Sequence, residues 1–213
     1  MKGHIYQPAF NPQIAAHVHR CEKLKNCLIY YRTHAVRNCP ELCEIIVEEL
    51  VARDPHFYAN WKFLAIGEGS PEKIPGSHIE RLGRLSLEQY GKLMSRSAVG
   101  LSLMVSPHPS YPPLEMAAAG MLVLANTHED KDLSQLHDNV VSWRSARISD
   151  AVDQLDALCR TFDQDNDVGW RGRRKVDWFF TPTDNLHEIA RALAKSLTDQ
   201  ICSALRDSSD ARR

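Results

Sequence analysis

Residues 106–120 of the chain, Ser-Pro-His-Pro-Ser-Tyr-Pro-Pro-Leu-Glu-Met-Ala-Ala-Ala-Gly, carry most of the information about its fold. They join two apolar runs, 99–105 and 121–125, which are too short for helices and predict buried strands. A proline-rich loop and a short helix between two such strands make one βαβ unit. The loop then lies at the carboxyl end of its strand, the edge at which open parallel sheets bind ligands.

Three charged residues are expected at this edge. Glu115 falls in the first turn of the short helix, where it could hold a hydroxyl-rich ligand or merely complement the positive helix N-terminus. Arg32 follows an apolar run at 28–31, and Arg84 precedes the next helix. Arginines at strand ends can converge on a diphosphate, because the guanidinium offers forked donors and stays charged; the alternative is that they neutralise nearby carboxylates.

Composition predicts one globular domain. The 213 residues are 43% hydrophobic and 25% charged, which is ordinary for a protein with a sizeable core. With 26 Lys and Arg against 27 Asp and Glu, there is no basic footprint for nucleic acid or an anionic membrane surface. No apolar run approaches the roughly 20 residues of a membrane helix, and the first residues lack a signal-peptide pattern. A cytoplasmic location without a transmembrane segment is therefore expected.

The cysteines and histidines predict neither a disulfide framework nor a metal site. Six cysteines are thinly spread and are expected to be free thiols. Cys39 and Cys43 lie four residues apart, and His17, His19 and Cys21 alternate nearby, but neither group forms the two close ligand pairs of a structural zinc site. We expect them to be packing and surface residues.

Alternating elements predict an α/β fold, a Rossmann-like parallel sheet with helices on both faces. Strands are predicted at 28–31, 63–66, 78–85, 99–105, 121–125 and 139–143, and helices at 40–53, 86–97, around Glu115, at 149–162 and at 183–205. No Gly-x-Gly-x-x-Gly follows the first strand and no P-loop motif occurs, which argues against a dinucleotide dehydrogenase or a P-loop enzyme. Residues 1–26 are interpreted as a connector or linker remnant, 27–205 as the domain and 206–213 as a polar tail.

Several strings together resemble one enzyme family. They are Leu-Gly-Arg-Leu-Ser-Leu-Glu-Gln-Tyr at 82–90, Ser-Pro-His-Pro-Ser-Tyr-Pro-Pro-Leu-Glu at 106–115, Lys-Asp-Leu-Ser at 131–134, and Tyr-Arg at 31–32 followed by Arg-Asn at 37–38. The stretch 26–143 resembles bacterial retaining rhamnosyltransferases, which have two Rossmann-like domains (the GT-B fold). The match is to their C-terminal, nucleotide-sugar-binding domain.

The resemblance implies roles for individual residues. Glu115 would hold the sugar ring of the nucleotide, and Arg32 and Arg84 would hold the diphosphate; family members often have lysine at the position of Arg84, which keeps the charge. The broader group has a second glutamate eight residues before Glu115. That position is proline here, as in the rhamnosyltransferase-like members. The remaining donor-binding residues are expected in the same loop and the helix start: His108, Pro109, Ser110, Tyr111 and Leu114. His108 could instead be a structural loop histidine. Residues 130–132, which follow the predicted strand at 121–125, could touch the sugar or cap the helix after them.

The resemblance also implies an activity, with an alternative. It predicts transfer of a sugar, with L-rhamnose from dTDP-L-rhamnose as the leading candidate, to a glycan acceptor with retention and without a metal cofactor. No catalytic residue is assigned. The N-terminal acceptor domain of such enzymes is not recognisable in the sequence, so a separate acceptor-domain chain or a homodimer is an expected partner. The alternative is a catalytically silent module that binds a nucleotide sugar or a protein partner.

Overall fold

The computed structural model describes residues 10–69, 71–73, 76–108 and 110–177, and the single positions 194, 195 and 198. Pro109 and most of the predicted helix at 183–205 therefore lie outside the described residues. The described elements form a seven-stranded sheet with the strand order β3-β4-β2-β1-β5-β6-β7. The strands are β1 (Leu24–Tyr31), β2 (Lys62–Gly67), β3 (Glu72–Lys73), β4 (Ile79–Gly83), β5 (Ser97–Ser102), β6 (Leu122–Asn126) and β7 (Val140–Trp143).

Six of these strands pair in parallel, and the two-residue β3 adds an antiparallel edge. The chain builds outward from β1 through β2 and β4, then returns to the other side of β1 for β5, β6 and β7. The strand order thus reverses between β1 and β5, and such a switch point opens a crevice at the carboxyl ends of the strands.

Helices cover both faces of the sheet. They are α1 (Pro12–Ala15), α2 (Pro40–Arg53), α3 (Pro55–Tyr58), α4 (Leu87–Arg96), α5 (Pro112–Ala118), α6 (Ile148–Gln164) and α7 (Val168–Arg171), with 3-10 turns at Val36–Asn38 and Leu133–Gln135. Successive residues of β1 enter opposite cores: Ile29 packs with Ile46 of α2 and Leu155 of α6, while Leu28 packs on the side of α4 and α5. The predicted α/β class with helices on both faces is confirmed. No helix in these segments is long and apolar enough to cross a membrane.

Helix boundaries follow local sequence signals. Helix α2 begins at Pro40, whose fixed φ suits a first helical position. Helix α4 begins after Ser86, whose Oγ accepts from the Gln89 backbone N–H at 3.1 Å while the Gln89 side chain accepts from Ser86 N–H at 2.9 Å. This is the predicted capping box. The chain before β1 also packs on the domain, since Ile14 is buried on the α4 side. The division of the chain at 27 and 206 stays a prediction.

The side chain of Lys23 links the C-terminal ends of helices α4 and α5 at the amino edge of the sheet. Its side chain is buried, and its Nζ lies 4.4 Å from the ring centroid of Trp170. Nζ donates at 2.9–3.3 Å to four backbone carbonyls, those of Met94, Ser95, Ser97 and Ala119. These carbonyls belong to the C-terminal ends of α4 and α5, which leave acceptors unpaired and favour a cation. The cluster lies at the edge opposite the carboxyl ends of the strands.

Candidate functional site

The carboxyl ends of the strands bring together loops from five parts of the chain. Arg32 follows β1, Glu68 follows β2, Arg84 follows β4, the loop 103–111 follows β5, and Lys131 lies in the turn after β6. Because these strands are parallel, the loops share one edge of the sheet. The sequence-predicted placement of Arg32, Arg84 and Glu115 at this edge agrees with the described topology.

Arg32 is engaged by a carboxylate. Its Nε donates to Glu68 Oε1 at 2.6 Å, and the other Glu68 oxygen accepts from the His34 backbone N–H at 3.2 Å. The pair raises the pKa of Arg32 through the hydrogen bond to Glu68, with a smaller contribution from Tyr30. Arg32 thus neutralises a nearby carboxylate, which was the alternative considered from the sequence. Part of its guanidinium still faces solvent.

Arg84 is exposed and has an unengaged side chain. Its backbone N–H donates to the Gly69 carbonyl at 3.2 Å, which holds the turn after β4 against the turn after β2. Its guanidinium makes no hydrogen bond or ion pair with another residue of the described segments. Gly67 keeps the neighbouring strand ends close, because a Cβ there would collide with the Tyr31 carbonyl and reach Arg32 Cγ at 3.0 Å. Arg84 therefore offers a full set of donors to a ligand.

The loop between β5 and α5 is held by its own hydrogen bonds. His108 Nδ1 accepts from the Ser110 backbone N–H at 3.1 Å, and the His108 N–H donates to Ser106 Oγ at 3.2 Å. Ser110 is buried with a φ of 61°, and the rings of His108 and Tyr111 lie 5.8 Å apart between centroids. His108 thus has a structural role in the loop, and a contact between its exposed ring and the donor stays a prediction. Leu114 is fully buried in the core, so only its backbone is available to a ligand.

Glu115 is a buried carboxyl in the first turn of α5, as predicted. Burial raises its pKa to about 7, and the nearby Tyr90 side chain lowers it by a smaller amount. The Tyr90 hydroxyl is buried beside the Glu115 carboxyl, and burial together with that carboxyl raises the pKa of Tyr90, with a smaller effect from Tyr30. Tyr30 in turn acts on Arg32. A row of polar groups therefore runs from Glu115 through the two tyrosines to Arg32.

Lys131 lies in the turn after β6, in a segment for which the sequence left two roles open. The sequence weighed residues 130–132 as either sugar contacts or helix caps, and Asp132 does cap the 3-10 turn, accepting from the Ser134 backbone N–H at 3.1 Å. Lys131 is buried, and its Nζ donates to the Met104 carbonyl at 2.5 Å. It lines a cleft of about 400 Å³ between the loops that follow β5 and β6.

No group of three or more His, Cys, Asp or Glu side chains in the described ranges could hold a metal ion. Cys43 is buried among core residues, where burial raises the pKa of its thiol. Cys39 is half-buried and precedes α2 in the left-handed conformation, with a φ of 50°. We find no metal centre in this part of the chain.

A family model described as "WsaF, C-terminal domain" matches residues 25–156, from β1 into α6. The chain belongs to this family. The O-antigen biosynthesis protein RfbC of Myxococcus xanthus is 39% identical to this chain over 83 residues. That alignment covers 35% of this chain and 6% of RfbC.

Solved structures show the same fold for this WsaF-type domain. The crystal structure of TarM superposes with a TM-score of 0.56 at 13% identity, covering 72% of this chain and 32% of TarM. A variant of S. aureus TarM in complex with fondaparinux, α-GlcNAc-glycerol and UDP gives a TM-score of 0.56 at 14% identity, covering 72% of this chain and 33% of that one. The domain has the fold of the C-terminal half of GT-B glycosyltransferases. It spans about a third of the length of TarM.

Proposed function

We propose that this domain binds a nucleoside diphosphate sugar at the carboxyl edge of its sheet and serves as the donor-binding half of a retaining glycosyltransferase. The proposed donor is dTDP-L-rhamnose, because the motif at 106–115 resembles that of bacterial rhamnosyltransferases. The proposed acceptor is a glycan. UDP in a TarM complex supports a nucleoside diphosphate as the ligand class.

The observation that carries this proposal is the buried carboxyl of Glu115. A carboxyl group at the mouth of a switch-point crevice is costly to bury, and no cation compensates it within the described segments. Tyr90 is its one polar neighbour among the described side chains, so ligand hydroxyls would supply further hydrogen bonds. A transferred sugar such as rhamnose presents hydroxyls in adjacent pairs, and the deoxyribose of dTDP presents one. Glu115 is therefore proposed to accept hydrogen bonds from donor hydroxyls in its ionised form.

The arginines supply the charge that the diphosphate requires. As the bond between the anomeric carbon and the phosphate oxygen breaks, negative charge builds on the leaving diphosphate. Arg84 is free to donate to it, and Arg32 lies on the same edge. Fixed donors aimed at such a developing charge lower a barrier by about 3 kcal/mol each. In the proposed retaining step, the acceptor oxygen bonds to the same face of the anomeric carbon, and its proton passes to the leaving phosphate oxygen.

The acceptor side of the reaction requires a second surface. GT-B enzymes bind donor and acceptor between two domains, so we propose that a further domain, a separate chain or a second copy contributes the acceptor-binding half. Exposed apolar side chains of Val36 and Val105 flank the crevice and could contact that half.

Calorimetric titration of the chain with dTDP and with UDP tests the proposal. We expect micromolar binding of at least one nucleotide, weakened about tenfold by Arg84→Ala through loss of a charge-assisted hydrogen bond. Arg96→Ala is the matched control, because it removes an exposed arginine at the opposite end of the sheet, where α4 ends. A folded chain that binds neither nucleotide would refute the proposal.

Release of dTDP from dTDP-L-rhamnose separates the proposed function from its alternative. A transferase domain joined by its acceptor half releases dTDP as the sugar is transferred. The catalytically silent nucleotide-sugar-binding or partner-interaction module would bind the donor and leave it intact under the same conditions.

A further inference from the structure

Lys23 and Lys131, the two buried lysines among the described residues, differ in how their charge is balanced. Lys23 donates to four backbone carbonyls and lies over Trp170. Lys131 donates to one carbonyl, that of Met104, although it is only 8% exposed. An ammonium group has three donors, so two donors of Lys131 have no acceptor among the described residues. A buried charge left in this state costs several kcal/mol unless a ligand or counter-ion compensates it.

No carboxylate of the described chain takes that role. Asp132 is next in sequence, but its carboxylate accepts from Ser134 and Ser142 and pairs with Arg144 at 2.6 Å. Glu129 and Asp130 are exposed at the rim of the cleft, and neither forms an ion pair with Lys131. The ionisable neighbour of Lys131 is the Cys39 thiol, and burial raises the pKa of that thiol, so it is uncharged at neutral pH. Lys131 is therefore a cation that no carboxylate of the described segments neutralises.

The position of Lys131 is fixed by rigid surroundings. Its backbone N–H donates to the His128 carbonyl at 2.9 Å, and the His128 N–H donates back to the Lys131 carbonyl at 3.2 Å. Asn126 fixes the Met104 backbone, because its side chain accepts from the Met104 N–H at 2.6 Å and donates to the Met104 carbonyl at 3.2 Å. Both the lysine and its carbonyl partner are thus preorganised, as a binding residue requires.

The cleft beside Lys131 has room and mixed chemistry. It measures about 400 Å³ and is lined by Pro107, Lys131, Leu133 and Leu136, with Glu129, Asp130, Asp132 and Gln135. One buried cation with carboxylates at the rim suits a ligand that carries both an anionic group and hydroxyls. Pro107 belongs to the loop that leads to Glu115, so the cleft opens beside the proposed donor site.

We propose that Lys131 Nζ binds a phosphate oxygen of a nucleoside diphosphate sugar in this cleft, on the phosphate that carries the sugar, while the sugar hydroxyls face Glu129 and Asp130. The inference rests on the proposed function, since it assigns a further residue to the same donor. Along the same edge of the sheet Arg32 is paired with Glu68, so Lys131 is, with Arg84, a second cation there without a carboxylate partner among the described residues.

Binding of thymidine, dTMP and dTDP to the full chain and to Lys131→Met tests the proposal. We expect the wild-type chain to bind dTDP more tightly than dTMP, and Lys131→Met to weaken dTDP by about 10- to 100-fold, the effect of one charge-assisted hydrogen bond. Binding of thymidine and dTMP should change less than threefold or so, because Lys131 is assigned to the second phosphate alone.

Lys175→Met is the matched control. The Lys175 ammonium is exposed, donates to the Ser134 carbonyl at 2.9 Å and pairs with Asp138. The substitution therefore removes a lysine from the same region but outside the cleft. Its dTDP affinity should equal that of the wild type. Should Lys131→Met fail to fold, Lys131→Arg keeps the charge but changes its geometry, and we expect it to weaken dTDP alone, by about threefold to tenfold.

The outcomes separate the two proposals. Wild-type binding of dTDP that a folded Lys131 variant leaves unchanged overturns the role of Lys131 and leaves the proposed function standing. An equal loss of affinity for thymidine, dTMP and dTDP also overturns the role of Lys131, because that result would mean that Lys131 only supports the structure of the site. A wild-type chain that binds neither dTDP nor UDP overturns both.

Discussion

Arg32 and Glu68, which follow neighbouring strands β1 and β2, form an ion pair at the carboxyl edge of the sheet. Nε and Nη2 of the guanidinium lie 2.6 and 2.5 Å from the same Glu68 oxygen. Glu68 is thereby placed beside the proposed diphosphate site, where its negative charge opposes an anionic ligand. The ion pair with Glu68 therefore weakens the attraction between Arg32 and the diphosphate of a nucleotide sugar.

Glu68→Gln should strengthen dTDP binding by about threefold, because it removes a negative charge while keeping an oxygen that can orient Arg32. Thymidine, which is uncharged, should bind as before. Calorimetry at low and high salt checks this, since the gain should shrink as salt rises. Glu80→Gln, which removes an exposed carboxylate within β4, is the control. Weaker dTDP binding by Glu68→Gln would show that Glu68 serves the ligand by positioning Arg32.

The raised pKa of Glu115 makes stability depend on pH. Its pKa is about 7 in the folded chain and about 4.5 when exposed, so the folded state holds this proton more tightly. Stability is therefore lost as pH rises from 4.5 through 7, by at most about 3 kcal/mol. Glu115→Gln lacks this loss.

Urea unfolding of the wild type and Glu115→Gln between pH 4.5 and 8 measures the difference in the free energy of unfolding. Buried His137, whose pKa is lowered to about 4 by burial, acts in the opposite direction below pH 6.5, but it is present in both proteins and cancels. A difference that stays constant with pH would mean that Glu115 is already ionised in the fold at low pH.

Lys23→Met should destabilise the domain by about 3 kcal/mol, because it leaves the carbonyls at the ends of α4 and α5 without their donor. Lys25→Met is the control: it removes a lysine two residues further along the chain whose partner, Asp163, is partly exposed, and should cost less than about 1 kcal/mol. Both values come from urea unfolding. Equal free energies of unfolding for the two variants would contradict a stabilising role of Lys23 at the ends of α4 and α5.

Gly120→Ala should cost about 3 kcal/mol, from two sources. The residue has a φ of 73°, and a Cβ there would lie 2.5 Å from the Trp170 ring. Gly69→Ala isolates the first source, because Gly69 has a φ of 80° with nothing within 4 Å of the added Cβ, and should cost about 1 kcal/mol. The prediction is wrong if unfolding experiments give the two variants the same loss.

Local patterns predicted most of the fold. The helix at 40–53 matches α2, and the capping box at Ser86 marks the start of α4, because caps and helical spacing are properties of neighbouring residues. The short helices α1, α3 and α7 and the two-residue β3 were not predicted. Such elements are too short for periodicity to detect, and they form because the rest of the domain holds them.

The charge partners at the site were not predictable in the same way. Arg32 and Arg84 were placed at the correct edge from strand ends alone, but the pairing of Arg32 with Glu68 joins residues 36 apart in sequence. The carbonyl acceptor of Lys131 lies 27 residues away, and those of Lys23 lie 71 to 96 away. These contacts depend on the register of parallel strands, which the sequence of one strand does not specify.

Titration of the wild-type chain and Glu115→Gln with dTDP-L-rhamnose at pH 8, where Glu115 is mostly ionised, tests the central claim most directly. We predict micromolar binding by the wild type and a loss of at least about tenfold in Glu115→Gln, because the amide replaces one accepting oxygen with a donor. Equal affinity of two folded proteins for the donor would contradict the assignment of Glu115 as the residue that holds it.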